Sequence, residues 1–445
     1  MVEQMPRQGK TMNKPTEKGL VPELRFPEFK NEKRWQVVLL SDICDVKGGK
    51  RIPKGHSLIQ DGTGGHPYIR VTDMYMGGVD PSSVLFITKE IEQLIKNYKI
   101  SKNDLFITVA GTIGIVGEIP DELDNANLTE NANKIIVKDV NKKYLLQYLS
   151  SDRLQNKIKS SITNNAQPKL SLERIRGFCI PLPTSVEQQK IADCLSSLDE
   201  LLSAHNQKLD ALKAHKKGLM QQLFPAEGET APKLRFSEFR KDGDWCFDDL
   251  GSKAKKVGSG ITPKGGDKNY KSAGVPFVRS QNIGWGRLLL DKIAYIEEEV
   301  HQSFLGTEIE ENDVLLNITG ASIGRTAIAD QRVTGGNVNQ HVCIIRTKLK
   351  ELHPVYLCQF ILSQNGQLQI DSFQAGGNRE GLNFSQIRSF SIPIPPNIEE
   401  QKKIADGLSS VDELITAQSK KINALEAHKK GLMQQLFPTV NEVSA

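Results

Sequence analysis

The sequence AHKKGLMQQLFP occurs twice in this chain of 445 residues, at Ala214–Pro225 and at Ala427–Pro438. Each copy ends a longer segment that aligns without a gap, Glu187–Pro225 on Glu400–Pro438, with 28 of 39 positions identical. Shorter repeats precede both segments in the same order. The chain therefore consists of two copies of one unit of about 210 residues, each a globular part followed by a long charged and leucine-rich segment.

The globular parts share short strings only. ELRFPEF at Glu23–Phe29 returns as KLRFSEF at Lys233–Phe239, and NDLFITVAG at Asn103–Gly111 returns as NDVLLNITG at Asn312–Gly320. Because the long segments are nearly identical, we interpret them as doing one common job and the globular parts as doing two different ones. A recent duplication with uneven drift is the alternative.

Each long segment carries a heptad pattern, in which the steps between core positions alternate between four and three residues. This pattern predicts coiled-coil packing. We expect the two helices to pair with each other in antiparallel orientation, with His205 and Gln418 near the middle fixing the register. His205 is then a residue of the seam that either extends its ring to solvent or is hydrogen-bonded, rather than a metal ligand. The residues predicted to pair the helices are Ile191, Leu195, Leu198, Leu202, His205, Leu209, Leu212 and Leu219 in the first segment and Ile404, Leu408, Val411, Ile415, Gln418, Ile422, Leu425 and Leu432 in the second.

Each globular part has the length of one domain. Short runs typical of β-strands alternate with glycine-rich turns, and one helical stretch follows, Asn141–Ile158 in the first half and Leu352–Leu368 in the second. The predicted fold class is α/β: two α/β domains separated and followed by long helices that pair as an antiparallel coiled coil with pseudo-two-fold symmetry. The predicted segments are a flexible N-terminal arm 1–20, a first domain 21–184, a helix 185–225, a linker 226–232, a second domain 233–397, a helix 398–438 and a tail 439–445.

Composition excludes several classes of protein and leaves the function open. The net charge is +5: residues 21–184 carry +4, residues 233–397 carry +2, neither long helix carries any, and the remaining short segments sum to −1. Any contact with a polyanion should therefore lie in the globular parts. No apolar run approaches the roughly 20 residues of a membrane span, and the N-terminus lacks the apolar region of a secretory signal. The six cysteines have neither disulfide nor zinc spacing. Since no phosphate-binding loop, dinucleotide motif or repeated nucleophile–base pair is found, we expect no metal, no cofactor and no catalytic residue on this chain.

Polar residues suited to DNA occur at three matching places in the two halves: a basic glycine-rich loop, the residues after a shared arginine, and the stretch before the closing strand. Arginine, asparagine and glutamine make paired hydrogen bonds to base edges, whereas lysine and glycine N–H groups suit phosphate. Taken singly, each loop is more typical of an ordinary solvated turn, and Arg70 and Arg279 are compatible with structural salt bridges. The candidate DNA-binding residues are Lys47, Lys50, Arg51, Lys54, Arg70, Thr72, Asn164, Asn165, Gln167 and Lys169 in the first half and Thr262, Lys264, Lys268, Arg279, Gln281, Asn282, Asn378 and Arg379 in the second.

The order of these repeated strings resembles the specificity subunit of type I restriction–modification systems. The resemblance rests on the paired LRFxEF openings, the two ND(L/V)xxxxxG blocks each followed by Ile-Gly, the two helix starts that contain EQxxIAxxL, and the duplicated AHKKGLMQQLFP. It covers essentially Leu24 to Pro438. No one string is decisive, but their order, repeated twice with a heptad helix after each, is hard to obtain otherwise.

The resemblance implies that each globular half is a target recognition domain that reads one half of a bipartite, asymmetric site in double-stranded DNA. It further implies that the near-identical helices set the spacing between the half-sites and bind two modification (methyltransferase) subunits, which methylate adenine at N6 with S-adenosylmethionine. Restriction subunits that use ATP and Mg²⁺ to translocate and cut DNA join that core. We therefore expect a cytoplasmic, non-catalytic recognition subunit. A protein–protein adaptor with a coiled-coil docking platform is the alternative. A nuclease acting alone is a third class, but this sequence lacks the acidic cluster that would hold the metal ion of a nuclease.

Overall fold

A computed structural model describes residues 19–60, 62–161, 168–226, 228–374 and 381–440. The chain forms two compact units. Unit one comprises Met1–Ala204 and Lys421–Ala445, and unit two comprises His205–Lys420. Each unit thus contains one globular half together with part of both long helices.

Unit one is built from short strands and short helices before the first long helix. Its strands are β1 (Gln36–Leu39), β2 (Cys44–Gly48), β3 (His66–Ile69), β4 (Met74–Tyr75), β5 (Gly78–Val79), β6 (Leu85–Ile87), β7 (Lys99–Ile100), β8 (Leu105–Thr108), β9 (Val116–Glu118), β10 (Ala126–Leu128), β11 (Ala132–Val137) and β12 (Cys179–Leu182). Its helices are α1 (Leu40–Ile43), α2 (Lys89–Leu94), α3 (Lys142–Ser150), α4 (Asp152–Ser161), α5 (Leu172–Arg176) and the start of α6 (Ser185–Leu223).

Two four-stranded sheets form the body of unit one, in the orders β6-β3-β10-β7 and β2-β11-β8-β9. The β3–β10 pair is parallel, and the other neighbouring strands are antiparallel. The largest core cluster includes Trp35, Tyr144 and, from the end of the second long helix, Phe437. The C-terminal residues of the chain therefore complete the core of the N-terminal half.

Unit two repeats this plan. Its strands are β13 (Cys246–Asp249), β14 (Ala254–Ser259), β15 (Val275–Val278), β16 (Ala294–Ile296), β17 (Val314–Asn317), β18 (Thr326–Ile328), β19 (Asn337–Val338), β20 (Val342–Thr347) and β21 (Ser391–Ile394). Its helices are α7 (Leu250–Lys253), α8 (Glu298–Gln302), α9 (Pro354–Leu362), α10 (Gln364–Gln374), α11 (Phe384–Arg388) and most of α12 (Ile398–Leu436). The sheet orders are β14-β20-β17-β18 and β16-β15-β19, and β15 and β19 are parallel.

The single helical stretch predicted in each half is two helices. The first pair breaks at Ser151 and the second at Ser363, where the backbone is extended, with ψ of 144° and 163°. In each break the serine hydroxyl donates a hydrogen bond to the carbonyl three residues earlier, at 2.6 Å. This local bond competes with helix continuation, which is why a serine between two helical patterns ends the first helix.

The long helices pair in antiparallel orientation. Within unit two, Gln418 donates to the carbonyl of His205 at 2.7 Å, and Lys216 reaches Asp412 at 2.7 Å. Within unit one, Lys429 pairs with Asp199 at 2.5 Å. As the residue number increases along α6, the residue number of its partner on α12 decreases, which is the pattern of an antiparallel pair. All sixteen positions named for helix pairing are buried or half-buried. The predicted fold class, including the coiled coil, is confirmed.

The folded part begins slightly earlier than the predicted boundary of the arm. Leu20 forms a β-bridge with Trp35, with a hydrogen bond of 2.9 Å from its N–H, so the last residues of the predicted 1–20 arm belong to unit one. The rest of that arm, 1–18, lies outside the described residues. Along the described parts of the chain, no helix is both long and apolar enough to cross a membrane.

Candidate nucleic-acid interface

Two parallel strands bring distant loops of unit one to the same sheet edge. The strands β3 and β10 end at Ile69 and Leu128, and the N–H of Thr129 donates to the carbonyl of Ile69 at 3.1 Å. Carboxyl ends of parallel strands are where open α/β sheets place their binding loops. Arg70 and Thr129 therefore leave the sheet side by side.

The residues 128–131, which we call the anchoring turn of unit one, connect the three predicted loops. The N–H of Lys50 in the basic loop donates to the carbonyl of Leu128 at 2.8 Å. The N–H of Val109 donates to the carbonyl of Asn131 at 2.7 Å, and Leu170, which follows the third loop, donates to Val109 at 3.0 Å. The structure thus connects Lys50 of the basic loop and Leu170, 120 residues later, to the same turn.

Unit two has an equivalent anchoring turn, residues 338–341. The N–H of Asn339 donates to Val278 at 3.0 Å, and that of Gly260 in the glycine-rich loop donates to Asn339 at 3.2 Å. In the third connection the N–H of Leu382 donates to the carbonyl of Ile318 at 2.9 Å, and the N–H of Ile318 donates to the carbonyl of His341 at 3.0 Å. The same framework therefore presents different side chains in the two units.

The glycines of the basic loops serve packing. A Cβ on Gly49 would lie 2.0 Å from the carbonyl oxygen of Thr129, and one on Gly260 would lie 1.5 Å from that of Val338. The N–H groups of Gly49, Lys50 and Gly260 all donate to backbone carbonyls. These three backbone N–H groups are therefore engaged within the domain and do not point to a ligand.

The basic loop of unit one presents charged side chains beside the anchoring turn. The Nε of Arg51 donates to Glu130 at 2.6 Å while 77% of the arginine side chain stays exposed. Lys50 lies with its Nζ 5.6 Å from the centre of the Tyr98 ring. The candidate residues that the structure leaves exposed are Lys47, Lys50, Arg51, Lys54, Thr72 and Lys169 in unit one and Lys264, Lys268 and Gln281 in unit two, and Thr262 is half-buried.

The two shared arginines have different partners. The Nε and Nη2 of Arg70 donate to the carboxylate of Asp73 at 3.1 and 2.5 Å, and that carboxylate is fully buried. Arg279 has Asn282 in the place of Asp73, lies over the Tyr270 ring at 4.8 Å, and donates to the carbonyl of Lys292 at 3.2 Å. Its Nε is buried and finds no hydrogen-bond partner among the described residues. Arg70 is thus held in a structural ion pair with Asp73, whereas the neutral Asn282 at the equivalent position cannot neutralise the charge of Arg279.

Asn282 does not fit a DNA-binding role. It is 1% exposed, its side-chain oxygen accepts the N–H of Arg279 at 3.0 Å, and its amide donates to the carbonyl of Leu289 at 2.9 Å. Both functions of its amide group are used inside the domain, so Asn282 shapes the loop. The candidates Asn164, Asn165, Gln167, Asn378 and Arg379 lie outside the described residues.

Sequence reasoning missed the anchoring turns, although a signal was present. The strings LTEN and VNQH stand at the same place in the two repeats, directly before strands β11 and β20. Burial opposes ionisation of Glu130, but hydrogen bonds from its own backbone N–H, Arg51 and Thr129 outweigh burial and lower the pKa of its carboxyl. In unit two the corresponding residue is the neutral Gln340, beside His341, whose Nδ1 lies 2.6 Å from the Thr319 hydroxyl.

The buried thiols are poor nucleophiles. Burial raises the pKa of Cys44, Cys343 and Cys358 to about 12, so these side chains stay protonated near neutral pH. Within the described ranges, no three His, Cys, Asp or Glu residues are grouped in a way that could hold a metal ion.

Comparison with known proteins identifies the framework that carries these loops. The family of type I restriction modification DNA specificity domains matches this chain twice, at residues 32–214 and 244–427. A putative type I restriction enzyme MjaX specificity subunit from Methanocaldococcus jannaschii is 24% identical over 435 residues, which is 95% of each chain. The crystal structure of the type I S subunit from M. genitalium superposes with a TM-score of 0.58 at 15% identity, over 95% of this chain and all of that one. A chain in a structure that describes complex assembly and conformational transition of the type I R-M system superposes with a TM-score of 0.53 at 17% identity, over 91% of this chain and 97% of that one. Each half of this chain thus contains one match, and the chain belongs to the family of type I restriction–modification specificity subunits, with two DNA recognition domains.

Proposed function

We propose that this specificity subunit reads a bipartite, asymmetric site in double-stranded DNA, one half-site with each recognition domain. The observation that supports the proposal is that one backbone framework, the parallel strand pair with its anchoring turn, carries different side chains in the two units. Two copies of one reader with different reading residues recognise two different half-sites. The sequence read is therefore asymmetric although the fold is duplicated.

We further propose that the long helices dock two modification subunits and set the distance between the half-sites. Both helices keep nearly the same surface, which suits one partner bound twice. The chain itself is a non-catalytic recognition subunit; in this proposal adenine-N6 methylation with S-adenosylmethionine, and DNA cleavage with ATP and Mg²⁺, take place on modification and restriction subunits in the cytoplasm. The candidate side chains that the structure leaves exposed on the loops remain our proposed DNA contacts.

Genome-wide mapping of N6-methyladenine with and without the gene for this chain tests the proposal. We expect a bipartite methylated motif that disappears on deletion and returns on complementation. A methylation pattern that is unchanged by deletion would contradict the proposal. An electrophoretic mobility shift with the assembled complex separates recognition from the adaptor alternative, because only recognition predicts sequence-specific, salt-sensitive binding.

Arg279→Ala is expected to weaken DNA binding by about 1–3 kcal/mol if Arg279 contacts a base, or to reduce the salt slope by about one if it contacts phosphate. The reason is that this guanidinium lacks the carboxylate that neutralises Arg70. Arg70→Ala should instead lower the stability of unit one, because it leaves the buried Asp73 unpaired. Salt titrations of DNA binding and urea unfolding of both variants check this pair of expectations. Equal DNA-binding losses with unchanged stability would show that the distinction between the two arginines is wrong.

Inserting four residues after Asn206 in the first long helix is expected to change the spacer between the half-sites and not the bases read. Four residues add about 6 Å of helix, close to two base-pair rises. Methylation mapping of a strain that carries the variant measures both quantities at once. A change in the bases read, with the spacer unaltered, would contradict the proposal that the helices set the distance.

A further inference from the structure

The anchoring turn and the basic loop each contribute one side-chain position that has an equivalent in the other unit, and in unit one the two side chains are joined directly. Gly49 and Gly260 pack on the turn in the same way, and two residues later stand Arg51 in unit one and Thr262 in unit two. The third residue of the turn is Glu130 in unit one, and its counterpart in unit two is Gln340. The ionic pair of unit one therefore corresponds to two neutral polar residues at the equivalent positions of unit two.

The ionic pair of unit one points to a base edge rather than to the DNA backbone. Arg51 and Glu130 are joined at 2.6 Å, with 77% and 29% of their side chains exposed. A carboxylate beside the guanidinium repels a phosphate, so this pair is a poor site for the backbone. A guanidinium has five N–H donors, so the bond from Nε to Glu130 leaves donors for a ligand.

The donor and acceptor pattern of each pair matches one base pair in the major groove. Arginine donates to O6 and N7 of guanine, and a carboxylate accepts from N4 of cytosine. Glutamine bonds N6 and N7 of adenine, and a threonine methyl packs on the methyl group of thymine. Resting on the function proposed above, we propose that these positions read one base pair in each half-site: G·C through Arg51 and Glu130, and A·T through Thr262 and Gln340.

The state of the two turns supports this assignment. The lowered pKa of Glu130 keeps its carboxyl ionised, and an ionised carboxyl only accepts hydrogen bonds, as the amino group of cytosine requires. Gln340 is exposed, and its amide nitrogen lies 3.4 Å from the His341 ring, so it sits beside a side chain that is itself held by Thr319. Both reading positions are thus supported by fixed neighbours.

The test is an exchange of the two pairs in the complete methyltransferase complex, followed by mapping of the methylated motif. The double variant R51T/E130Q is expected to change one position of the first half-site from G·C to A·T and to leave the second half-site unchanged. The reciprocal double variant T262R/Q340E is expected to do the opposite in the second half-site. The matched control is D330N/R332T, which removes an exposed ion pair between Asp330 and Arg332, 2.6 Å apart. Neither residue belongs to a basic loop or an anchoring turn, so this variant should leave the motif intact.

The single variant Glu130→Gln covers the case in which a double variant yields no methylation. Its complex should bind DNA that carries the wild-type site about 10- to 100-fold more weakly, with non-specific binding unchanged. An unaltered first half-site in R51T/E130Q, or wild-type affinity in Glu130→Gln, overturns the inference while the proposed function stands. A wild-type motif that does not depend on this chain at all would instead defeat the proposed function.

Discussion

Replacing Glu187 with alanine is expected to lower the free energy of unfolding of unit one by roughly 3–5 kcal/mol. Arg25 donates to both oxygens of Glu187 at 2.7 Å, and the two side chains are only 7% and 1% exposed. Arg25 also donates to the carbonyls of Glu32 and Lys33 at 3.1 Å. Although burial lowers the pKa of Arg25, its hydrogen bond with Glu187 raises that pKa by more. The variant therefore leaves a guanidinium charge buried without its counterion.

Urea unfolding, monitored by hydrogen exchange of the peptides that contain β11, measures this loss of free energy of unfolding in unit one. The matched variant in unit two is Glu400→Ala, because Arg235 donates to Glu400 at 2.8 and 2.9 Å in the same way. Glu28→Ala serves as the control, since Glu28 pairs with Lys190 at 3.2 Å on the surface and should give no measurable change. A double replacement by Arg25→Met and Glu187→Leu should recover most of the loss. If Glu187→Ala were no more destabilising than Glu28→Ala, the ion pair would not hold the helix start.

This ion pair explains two of the repeated strings together. The arginine of LRFxEF and the glutamate of the helix start EQxxIAxxL are 162 residues apart in unit one and form one buried contact. Either string alone looks like a short coincidence in the sequence. Their joint repetition reflects a tertiary contact that each unit needs.

The sequence predicts the long helices well because a heptad pattern is local: each position is named by its spacing from the last. The same holds for the α/β class of the domains. The sequence does not predict the helix breaks at Ser151 and Ser363, because serine also occurs inside helices. Here each serine hydroxyl bonds a carbonyl of the preceding turn, and that bond ends the helix. The sequence also does not show that Asn282 is buried, because its amide bonds the carbonyl of Leu289, seven residues further along the chain.

The candidate site is harder to predict because its framework is not local. The residues of the basic loop and of the arginine loop, and the residue that follows the third loop, are connected through hydrogen bonds to residues 128–131 or 338–341, in the third case by way of Val109 or Ile318. No spacing rule links Lys50 to Leu128 or Val109 to Asn131. One local signal was readable: RVTD in the first half carries an acid three residues after Arg70, whereas RSQN in the second carries an amide.

The end of each long helix carries a second large contribution to stability. Phe437 is fully buried in unit one, with ring centres 5.7 Å from Tyr144 and 5.3 Å from Tyr148. Phe224 has the equivalent place in unit two, 5.4 Å from Tyr356 and 5.5 Å from Phe360. The phenylalanine of the repeated LFP at the end of AHKKGLMQQLFP is therefore a core residue in both units.

Phe437→Ala is expected to lower the free energy of unfolding of unit one by about 3–5 kcal/mol, because it leaves a cavity beside the rings of Tyr144 and Tyr148. Phe437→Leu should cost clearly less, because it keeps most of the buried volume. Leu201→Ala is the control, since Leu201 lies exposed on the same pair of helices in unit one. Hydrogen exchange of peptides that contain β11 should show the loss of stability in unit one. Peptides that contain β20, which belongs to unit two, should show a smaller change. Equal destabilisation by Leu201→Ala and Phe437→Ala would contradict the assignment of the chain's C-terminal end to the core of the N-terminal half.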